Sequence, residues 1–228
     1  MSSDVCVIVP VFNEATVVGA VVAGLLEVFP HVVCVDDGST DGSADVARSA
    51  GAIVLHHPIN LGQGAALQTG FDYVLRYTSA TYCVTFDADG QHRIEDAARM
   101  VDKARNTGAD VVLASRFLGT TKNMPMLRRL MVRGGVWFTR RTAHIDVSDT
   151  HNGLRVLTRP ALQRIRLKMP RMAHASELLN AITHNGLSYV EEPVDIIYTE
   201  YSLAKGQSMM NSVNIVFDLA AERLRFAR

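Results

Sequence analysis

The chain has 228 residues, of which 48% are hydrophobic, and its 23 Lys and Arg residues balance its 23 Asp and Glu residues. This composition supplies enough apolar side chains for a folded core and excludes a mostly disordered chain. Zero net charge excludes the overall cationic field on which nucleic-acid binding depends, so we predict no nucleic-acid partner.

Short β-branched segments alternate with helical patterns in the first half of the chain. In chain order, strands are predicted at VCVIVPV, HVVCVDD, AIVLHH, TYCVTF and DVVLAS. Helices are predicted between them at EATVVGAVVAGLLEVF, SADVARSAG, GQGAALQTGFDYVLRYT and IEDAARMVDKARNTG, the first capped by Asn13. This alternation is typical of an α/β fold in which helices cover both faces of a mainly parallel sheet.

The alternation stops near Phe117. Residues 126–141 combine Met, Leu, Val, Trp and Phe with five arginines, which is a basic amphipathic pattern. Beyond it the sequence predicts strands at RVLTR and SYVEEPVDIIY, a helix at SELLNAITHNG and a closing helix over residues 209–226. We expect a single domain over residues 1–228, divided into a first half, 1–116, and an irregular second half, 117–228.

Three polar motifs follow predicted strands: PVFNE at residues 10–14, VDDGSTDGS at 35–43 and FDADGQH at 86–92. Ligands of open parallel sheets bind at the carboxyl ends of the strands, so the three motifs are expected at one edge. For the second motif, turn and helix-cap residues are one interpretation and nucleotide recognition by a strand-end carboxylate is the other. The glycines of NLGQGAALQTG, including Gly64, either turn the chain or close over a ligand, because the full dinucleotide fingerprint is missing.

The acidic motif predicts a metal site. Asp87 and Asp89 fall on the same side of an extended chain, and Gln91 adds a third oxygen. Oxygen ligands favour Mg²⁺ or Mn²⁺, which would bridge the phosphates of a nucleotide. A simple acidic turn is one alternative. A phosphatase of the haloacid dehalogenase type is another, although Gln91 stands where that family normally has Thr.

In order and spacing, PVFNE, VDDGSTDGS, NLGQGAA, DADGQH and ASR resemble the family 2 glycosyltransferases with a GT-A fold. The similarity is greatest to the branch of dolichyl-phosphate mannose synthases and polyprenyl-phosphate glycosyltransferases. It implies inverting transfer of a sugar from a UDP- or GDP-linked donor with the help of a divalent metal. It also implies a sugar-nucleotide site formed by Pro10, Phe12, Glu14, Asp37, Gly38, Gly64 and Asp87, and a metal site formed by Asp87, Asp89 and Gln91.

The resemblance makes residues 1–116 the nucleotide-sugar-binding half and residues 117–228 the acceptor-binding half, which resembles the same branch more loosely. DTHNGLRVLTR matches a D-x-x-x-G-[FL]-R segment, which makes Asp149 a candidate acid on the acceptor side. Asp89, Arg116 and Asp149 are therefore the expected catalytic residues. YSLAKGQS has Leu203 where the synthases have an arginine, and Lys205 is a possible replacement. A plain turn into a strand explains the first segment almost as well.

The arginines indicate a phosphate acceptor at a membrane surface. Arginine forks match phosphate oxygens, so Arg116, Arg129, Arg133 and Lys205 are predicted to bind the acceptor phosphate of a polyprenyl lipid. The apolar residues among the arginines favour an interfacial helix, with a solvated basic face as the alternative. A phosphate monoester needs no base, whereas a saccharide acceptor would need one, from Asp149, His174 or Glu177. A catalytically silent sugar-nucleotide-binding protein is the remaining alternative.

The expected location is the cytoplasmic face of the cell membrane. The apolar runs are shorter than the roughly 20 residues that span a bilayer, and no export-signal pattern precedes the first strand. Cys6, Cys34 and Cys83 lie inside apolar strands, as buried and reduced cysteines do. A small integral membrane protein is an expected partner, because it would hold the enzyme near its lipid.

Overall fold

The computed structural model describes residues 4–118, 145–150, 152–169 and 173–197. Its elements, in chain order, are β1 (Val5–Val11), α1 (Val18–Val28), β2 (His31–Asp36), α2 (Ser43–Ser49), β3 (Ile53–His56), α3 (Gln63–Tyr77), β4 (Tyr82–Thr85), α4 (Ile94–Thr107), β5 (Val111–Ser115), β6 (Arg155–Thr158), α5 (Arg159–Arg164), α6 (Ala173–His184) and β7 (Tyr189–Pro193). The predicted closing helix and the basic segment at 126–141 lie outside the described residues.

The strands form one seven-stranded sheet in the order β3-β2-β1-β4-β6-β5-β7. The pairs β1–β2, β1–β4, β2–β3 and β5–β7 are parallel, which confirms the predicted α/β fold with a mainly parallel sheet. β6 differs, because it runs antiparallel to both β4 and β5. It therefore begins at the edge where β4 and β5 end, and the residues just before it lie among the strand-end motifs.

Alternating side chains of the strands divide the core between the two faces of the sheet. Val5, Val7 and Val9 of β1 belong to a cluster with buried residues of α1 and α4. Cys6 and Ile8 belong to a second cluster with buried residues of α3, α5 and α6. This period-2 division is what a strand covered on both faces produces.

One local prediction was wrong, and one short helix was not predicted. α1 begins at Val18 with no side-chain cap, and the amide oxygen of Asn13 instead accepts the N–H of Thr40. α5 was not predicted, because six residues are too few to show a helical period. It starts where the hydroxyl of Thr158 accepts the N–H of Ala161, directly after β6.

The helix α3 is fixed at its C-terminal end by the guanidinium of Arg159. The two terminal nitrogens donate to the carbonyl oxygens of Val74, Leu75, Thr78 and Ala80 at 2.7–3.3 Å. Arg159 therefore joins the last turn of α3 to the segment that leads into β4. The opposite end of α3 carries Gln63, which reaches the candidate site.

Candidate active site

The loops after β1 and β2 are joined by hydrogen bonds. The N–H of Asn13 donates to Ser39 Oγ at 2.9 Å, and the N–H of Glu14 donates to Ser43 Oγ at 2.8 Å. Asn13 itself adopts a positive φ of 54°. The small polar residues of the second motif therefore hold the first motif in place, and this is a role that their turn and cap chemistry allows.

Asp37 is buried and bonded to the loop before α3. Its Oδ1 accepts the N–H of Leu61 at 2.9 Å, and its Oδ2 accepts the N–H of Gly62 at 2.7 Å. His57 Nδ1 also lies 2.8 Å from Oδ1, and His57 Nε2 lies 2.9 Å from Thr69 Oγ1. Asp37, which we predict to bind the nucleoside, therefore also fixes the start of α3.

Gly38 stands beside Asp37 at a point that excludes a side chain. Its φ is +77°, and a Cβ built on it would lie 2.7 Å from the carbonyl carbon of Ile59 and 2.8 Å from the N of Asn60. Glycine supplies both the left-handed conformation and the space. The loops after β2 and β3 can therefore approach each other backbone to backbone.

Asp87 lies at the end of β4 and is held by side chains from two other segments. Gln63 Nε2 donates to its Oδ1 at 3.0 Å, and His92 Nε2 lies 3.1 Å from its Oδ2. Burial raises the pKa of Asp87, whereas the hydrogen bond and charge of His92 lower it. The charges of Arg155 and His174 act in the same direction as His92, and the resulting pKa lies below the usual range.

Asp89 has the opposite electrostatic environment. Its Oδ1 accepts the N–H of Gln91 at 3.0 Å. Burial raises the pKa of Asp89, and the negative charges of Asp87 and Glu14 raise it further. We call Glu14, Asp87 and Asp89 the acidic region.

The acidic region fits a hard divalent cation. A cation between Asp87 and Asp89 would relieve the repulsion that raises the pKa of Asp89, and carboxylate oxygens suit Mg²⁺ or Mn²⁺. Within the described residues, no three His, Cys, Asp or Glu side chains are grouped as a complete metal site. A bound ion would therefore depend on the two carboxylates, on Gln91 and on oxygens of the substrate.

A second group of charges lies where β5 ends and β6 begins. Arg116 Nε donates to Asp149 Oδ2 at 2.6 Å, and the N–H of Arg116 donates to the same oxygen at 3.2 Å. The side chain of Asp149 is fully buried, and that of Arg116 is 13% exposed. Such a pair is charge-assisted and gives the guanidinium one orientation.

Arg155 connects these charges to the acidic region. It is buried, and its Nη1 has no hydrogen-bond partner among the described residues. Burial lowers the pKa of Arg155, whereas Asp87 and Asp149 raise it, because its charge interacts with both. We call Arg116, Asp149 and Arg155 the arginine region.

The segment that carries Asp149 is fixed by β5 and β7. Ser148 Oγ lies 2.5 Å from Ser115 Oγ and donates to Glu191 Oε1 at 2.7 Å. The N–H of Ser148 donates to the same oxygen at 2.8 Å. The position of Asp149 therefore follows from polar contacts of its neighbour Ser148 with β5 and β7, which the sequence around it does not reveal.

The other predicted site residues have varied surroundings. Pro10 lies in β1 opposite Val35, and the Phe12 side chain after it is 43% exposed. Gly64 is buried in the first turn of α3, where a Cβ would lie 2.5 Å from the Met169 carbonyl oxygen. Arg129, Arg133 and Lys205 lie outside the described residues.

Sequence reasoning missed five residues of the site: Gln63, His92, His57, Gly153 and Arg155. Gln63, His92 and Gly153 stand inside quoted motifs, Gly153 as the glycine of the D-x-x-x-G-[FL]-R segment. Gly153 touches Asp87 only because β6 enters the sheet beside β4. No local pattern gives that neighbour.

Comparison with known proteins identifies the family of the chain. Residues 6–166 match the family model described as Glycosyl transferase family 2. The chain belongs to glycosyl transferase family 2. It is a glycosyltransferase, which confirms the family and the enzyme class predicted from the sequence.

Relatives of similar length support the branch. The chain is 30% identical to a UDP-N-acetylglucosamine–dolichyl-phosphate N-acetylglucosaminyltransferase of Methanococcus voltae, over 93% of each chain. It is 32% identical to the polyprenol monophosphomannose synthase of Mycolicibacterium smegmatis, over 92% of this chain and 82% of the relative. An uncharacterized protein of Methanocaldococcus jannaschii is 34% identical over 97% of this chain and 93% of its own.

Solved structures support the GT-A fold. The glucosyl-3-phosphoglycerate synthase of Mycobacterium tuberculosis, solved in complex with Mg²⁺ and uridine diphosphate, matches with a TM-score of 0.71 at 19% identity. The match covers 95% of this chain and 78% of the synthase. At this identity the likeness establishes the fold. In the described ranges, no helix combines the length and apolarity needed to cross a bilayer.

Proposed function

We propose that the chain transfers a sugar from a UDP- or GDP-linked donor to a polyprenyl phosphate, with inversion at the anomeric carbon and with Mg²⁺ or Mn²⁺. The observation that carries the proposal is the juxtaposition of two charged regions. Carboxylates that suit a metal-bound diphosphate are joined through buried Arg155 to an arginine that suits a second phosphate. Two relatives named for lipid-phosphate acceptors support the same class of reaction.

Asp87, Asp89 and Gln91 would hold the metal on the sugar-donor side. When bound, the ion would neutralise the diphosphate and stabilise the charge on the leaving group. Gln63 and His92 fix the carboxylate of Asp87 from two directions. The acidic region therefore needs little rearrangement to receive its ligands, which is the condition for electrostatic preorganisation.

The nucleoside would lie against the loops after β1 and β2. We propose contacts from Pro10, Phe12, Glu14, Asp37 and Gly38, with Gly64 at the adjoining start of α3. The exposed face of Phe12 suits stacking on a base. Asp37 bonds to two N–H groups of the loop before α3, so contact with the nucleoside would be transmitted to that helix start.

The acceptor phosphate itself serves as the nucleophile. Its second pKa is about 6, so it is already a dianion at neutral pH. One phosphate oxygen attacks the anomeric carbon as the bond from that carbon to the diphosphate oxygen breaks. The nucleoside diphosphate leaves with the electron pair, and no proton is transferred. A single displacement of this kind inverts the anomeric configuration.

The protein's main task is to hold two anionic groups close together. Arg116 would bind the acceptor phosphate, in an orientation set by Asp149. Asp149 then acts by positioning Arg116, and no general base is required. Glu177, a candidate base for a saccharide acceptor, instead accepts the N–H groups of Lys168 and Met169 at 2.9 Å.

We further propose that the enzyme works at the cytoplasmic membrane face. Residues 126–141 supply the basic amphipathic pattern of a membrane-surface helix, including Arg129 and Arg133 for the lipid phosphate. Lys205 would add a further phosphate contact. A small integral membrane protein would hold the enzyme beside its lipid acceptor.

A panel of UDP-, GDP- and dTDP-sugars tests the proposal. Each sugar nucleotide is offered with Mg²⁺ or Mn²⁺ and with either a polyprenyl phosphate or a saccharide acceptor, and the products are identified by mass spectrometry. We expect a butanol-extractable sugar-phosphate lipid from a UDP- or GDP-sugar. A sugar–sugar product in place of the lipid would contradict the proposed acceptor.

A further inference from the structure

One side of the Asp87 carboxylate packs against the peptide backbone at Gly153. A Cβ built on Gly153 would overlap both carboxylate oxygens of Asp87, and its three nearest heavy atoms all belong to that carboxylate. The φ of Gly153 lies outside the left-handed region, so backbone conformation does not require glycine here. What requires it is the space occupied by Asp87.

Gly153 is held against Asp87 by the sheet. The hydroxyl of Thr85 donates to the carbonyl oxygen of Gly153 at 2.6 Å. Thr85 also pairs with Arg155 in the antiparallel β4–β6 register, two residues further along. Asp87 and Gly153 therefore extend from neighbouring strands whose relative position is fixed by backbone bonds, so neither can move away cheaply.

The other contacts of Asp87 show which movement of its carboxylate the Gly153 backbone prevents. Among the described residues, Gln63 bonds Oδ1 of Asp87 and His92 bonds Oδ2, so each carboxylate oxygen has a partner. Its side chain is 26% exposed, which leaves the outward direction open. Gly153 occupies the inward direction.

We propose that Gly153 is a positioning residue, whose bare Cα sets the orientation in which Asp87 faces the metal-bound sugar nucleotide. This inference rests on the proposed function, because the role of Asp87 at the sugar nucleotide is part of that proposal. The packing of Gly153 against Asp87 does not depend on it. Any side chain at position 153 would rotate or displace the carboxylate from Gln63 and His92. The effect would be transmitted through Asp87 and through no contact with the substrate.

A double-mutant cycle on thermal unfolding tests the packing. Gly153→Ala is expected to lower the melting midpoint by about 6 °C, the size of effect that overpacking produces in a chain of this length. In an Asp87→Ala background the overlapping atoms are gone, so the same change should cost less than about 2 °C. Equal losses in both backgrounds would overturn the inference. If Gly153→Ala fails to fold, folding of the double variant supports it, and failure of the double variant contradicts it.

Binding of a nucleoside diphosphate tests the consequence. Isothermal titration with UDP and GDP, each with Mn²⁺, should show an affinity about tenfold weaker for folded Gly153→Ala than for the natural chain. The KM for lipid phosphate should stay unchanged. Gly19→Ala, at the start of α1, is the matched control and should bind like the natural chain. Unchanged affinity in Gly153→Ala would overturn the positioning role. If the natural chain binds neither nucleotide while the cycle shows coupling, the proposed donor site is wrong and the packing inference is supported.

Discussion

The acidic and arginine regions share one edge of the sheet but differ in how their charges are compensated. In the arginine region, Arg116 is paired with buried Asp149 at 2.6 Å. In the acidic region, Asp87 has His92 and Gln63, whereas burial and the negative charges of Asp87 and Glu14 raise the pKa of Asp89, against the loop N–H of Gln91 and the charge of His92. The arginine region supplies its own counter-charge, whereas in the acidic region the negative charge on Asp89 is disfavoured, as its raised pKa shows.

This difference suggests what each region is built to receive. A preformed ion pair fixes the fork of a guanidinium that then meets an anion, such as a phosphate, without losing much entropy. The disfavoured negative charge on Asp89 favours a cation, and it lowers stability until one binds. Substitutions in the acidic region should therefore affect mainly the reaction. Substitutions in the arginine region should also affect the stability of the fold.

The largest effect is expected in the acidic region. Asp89→Asn removes the charge proposed to bind the metal, and it should lower turnover by about 1,000-fold, as loss of a principal electrostatic contact does. Initial rates of glycolipid formation measure the effect. Asp45→Asn is the matched control, because Asp45 is an exposed carboxylate paired with Arg48 on α2. Full activity of the Asp89 variant in the presence of a chelator would disprove the metal assignment.

Breaking the ion pair should reduce stability. Asp149→Asn leaves Arg116 and Arg155 without their shared negative partner, at a cost of about 3 kcal/mol. For a chain of this length the melting midpoint should fall by about 9 °C. Asp102→Asn, an exposed partner of Arg105, should leave the midpoint unchanged. Equal melting of the Asp149 variant and the natural chain would show that the pair contributes no stability.

Arg116 tests the acceptor side alone. Arg116→Met should lower kcat/KM for lipid phosphate by about 100-fold, because the acceptor loses its positioning contact. The KM for the sugar nucleotide should be unaffected, and Arg116→Lys should recover part of the loss by restoring charge without the fork. Arg48→Met, which alters an exposed arginine, is the control. A rise in the KM for the sugar nucleotide alone would show that Arg116 binds the sugar nucleotide and not the acceptor phosphate.

The smallest expected effect is a gain in stability from the same substitution that should abolish most of the turnover. Without metal at neutral pH, Asp89→Asn should raise the melting midpoint by about 2 °C, because it removes repulsion from Asp87 and Glu14. The folded-state pKa of Asp89 is raised, so its ionised form destabilises the fold and protonation removes that cost. The gain should therefore shrink as the pH falls through this pKa. A variant less stable than the natural chain at neutral pH would contradict the described repulsion.

Much of the acidic region was predictable because its parts are local. Asp87 and Asp89 follow a strand directly, so strand periodicity and the carboxyl-edge rule placed them beside the loops after β1 and β2. Arg116 was predictable for the same reason, since it follows β5. The role of these residues in catalysis stays a prediction.

The remaining contacts depend on topology that no local pattern contains. Gln63, Gly153 and Arg155 reach Asp87 because α3 packs across the sheet and β6 enters between β4 and β5. Asp37 is a further example, because its bonds to Leu61 and Gly62 follow from the path of the loop before α3. Asn13 was predicted to cap α1, but its positive φ directs it to the loop after β2.

The most direct test of the account compares polyprenyl phosphate with the corresponding polyprenol, each supplied with the active sugar nucleotide and Mg²⁺ or Mn²⁺. Mass spectrometry of the butanol phase should find one product, a lipid in which phosphate joins the sugar to the polyprenyl chain, and it should form only from the phosphate. A sugar attached directly to polyprenol at a similar rate would contradict the account, because the phosphate would then be neither the nucleophile nor the group that Arg116 binds.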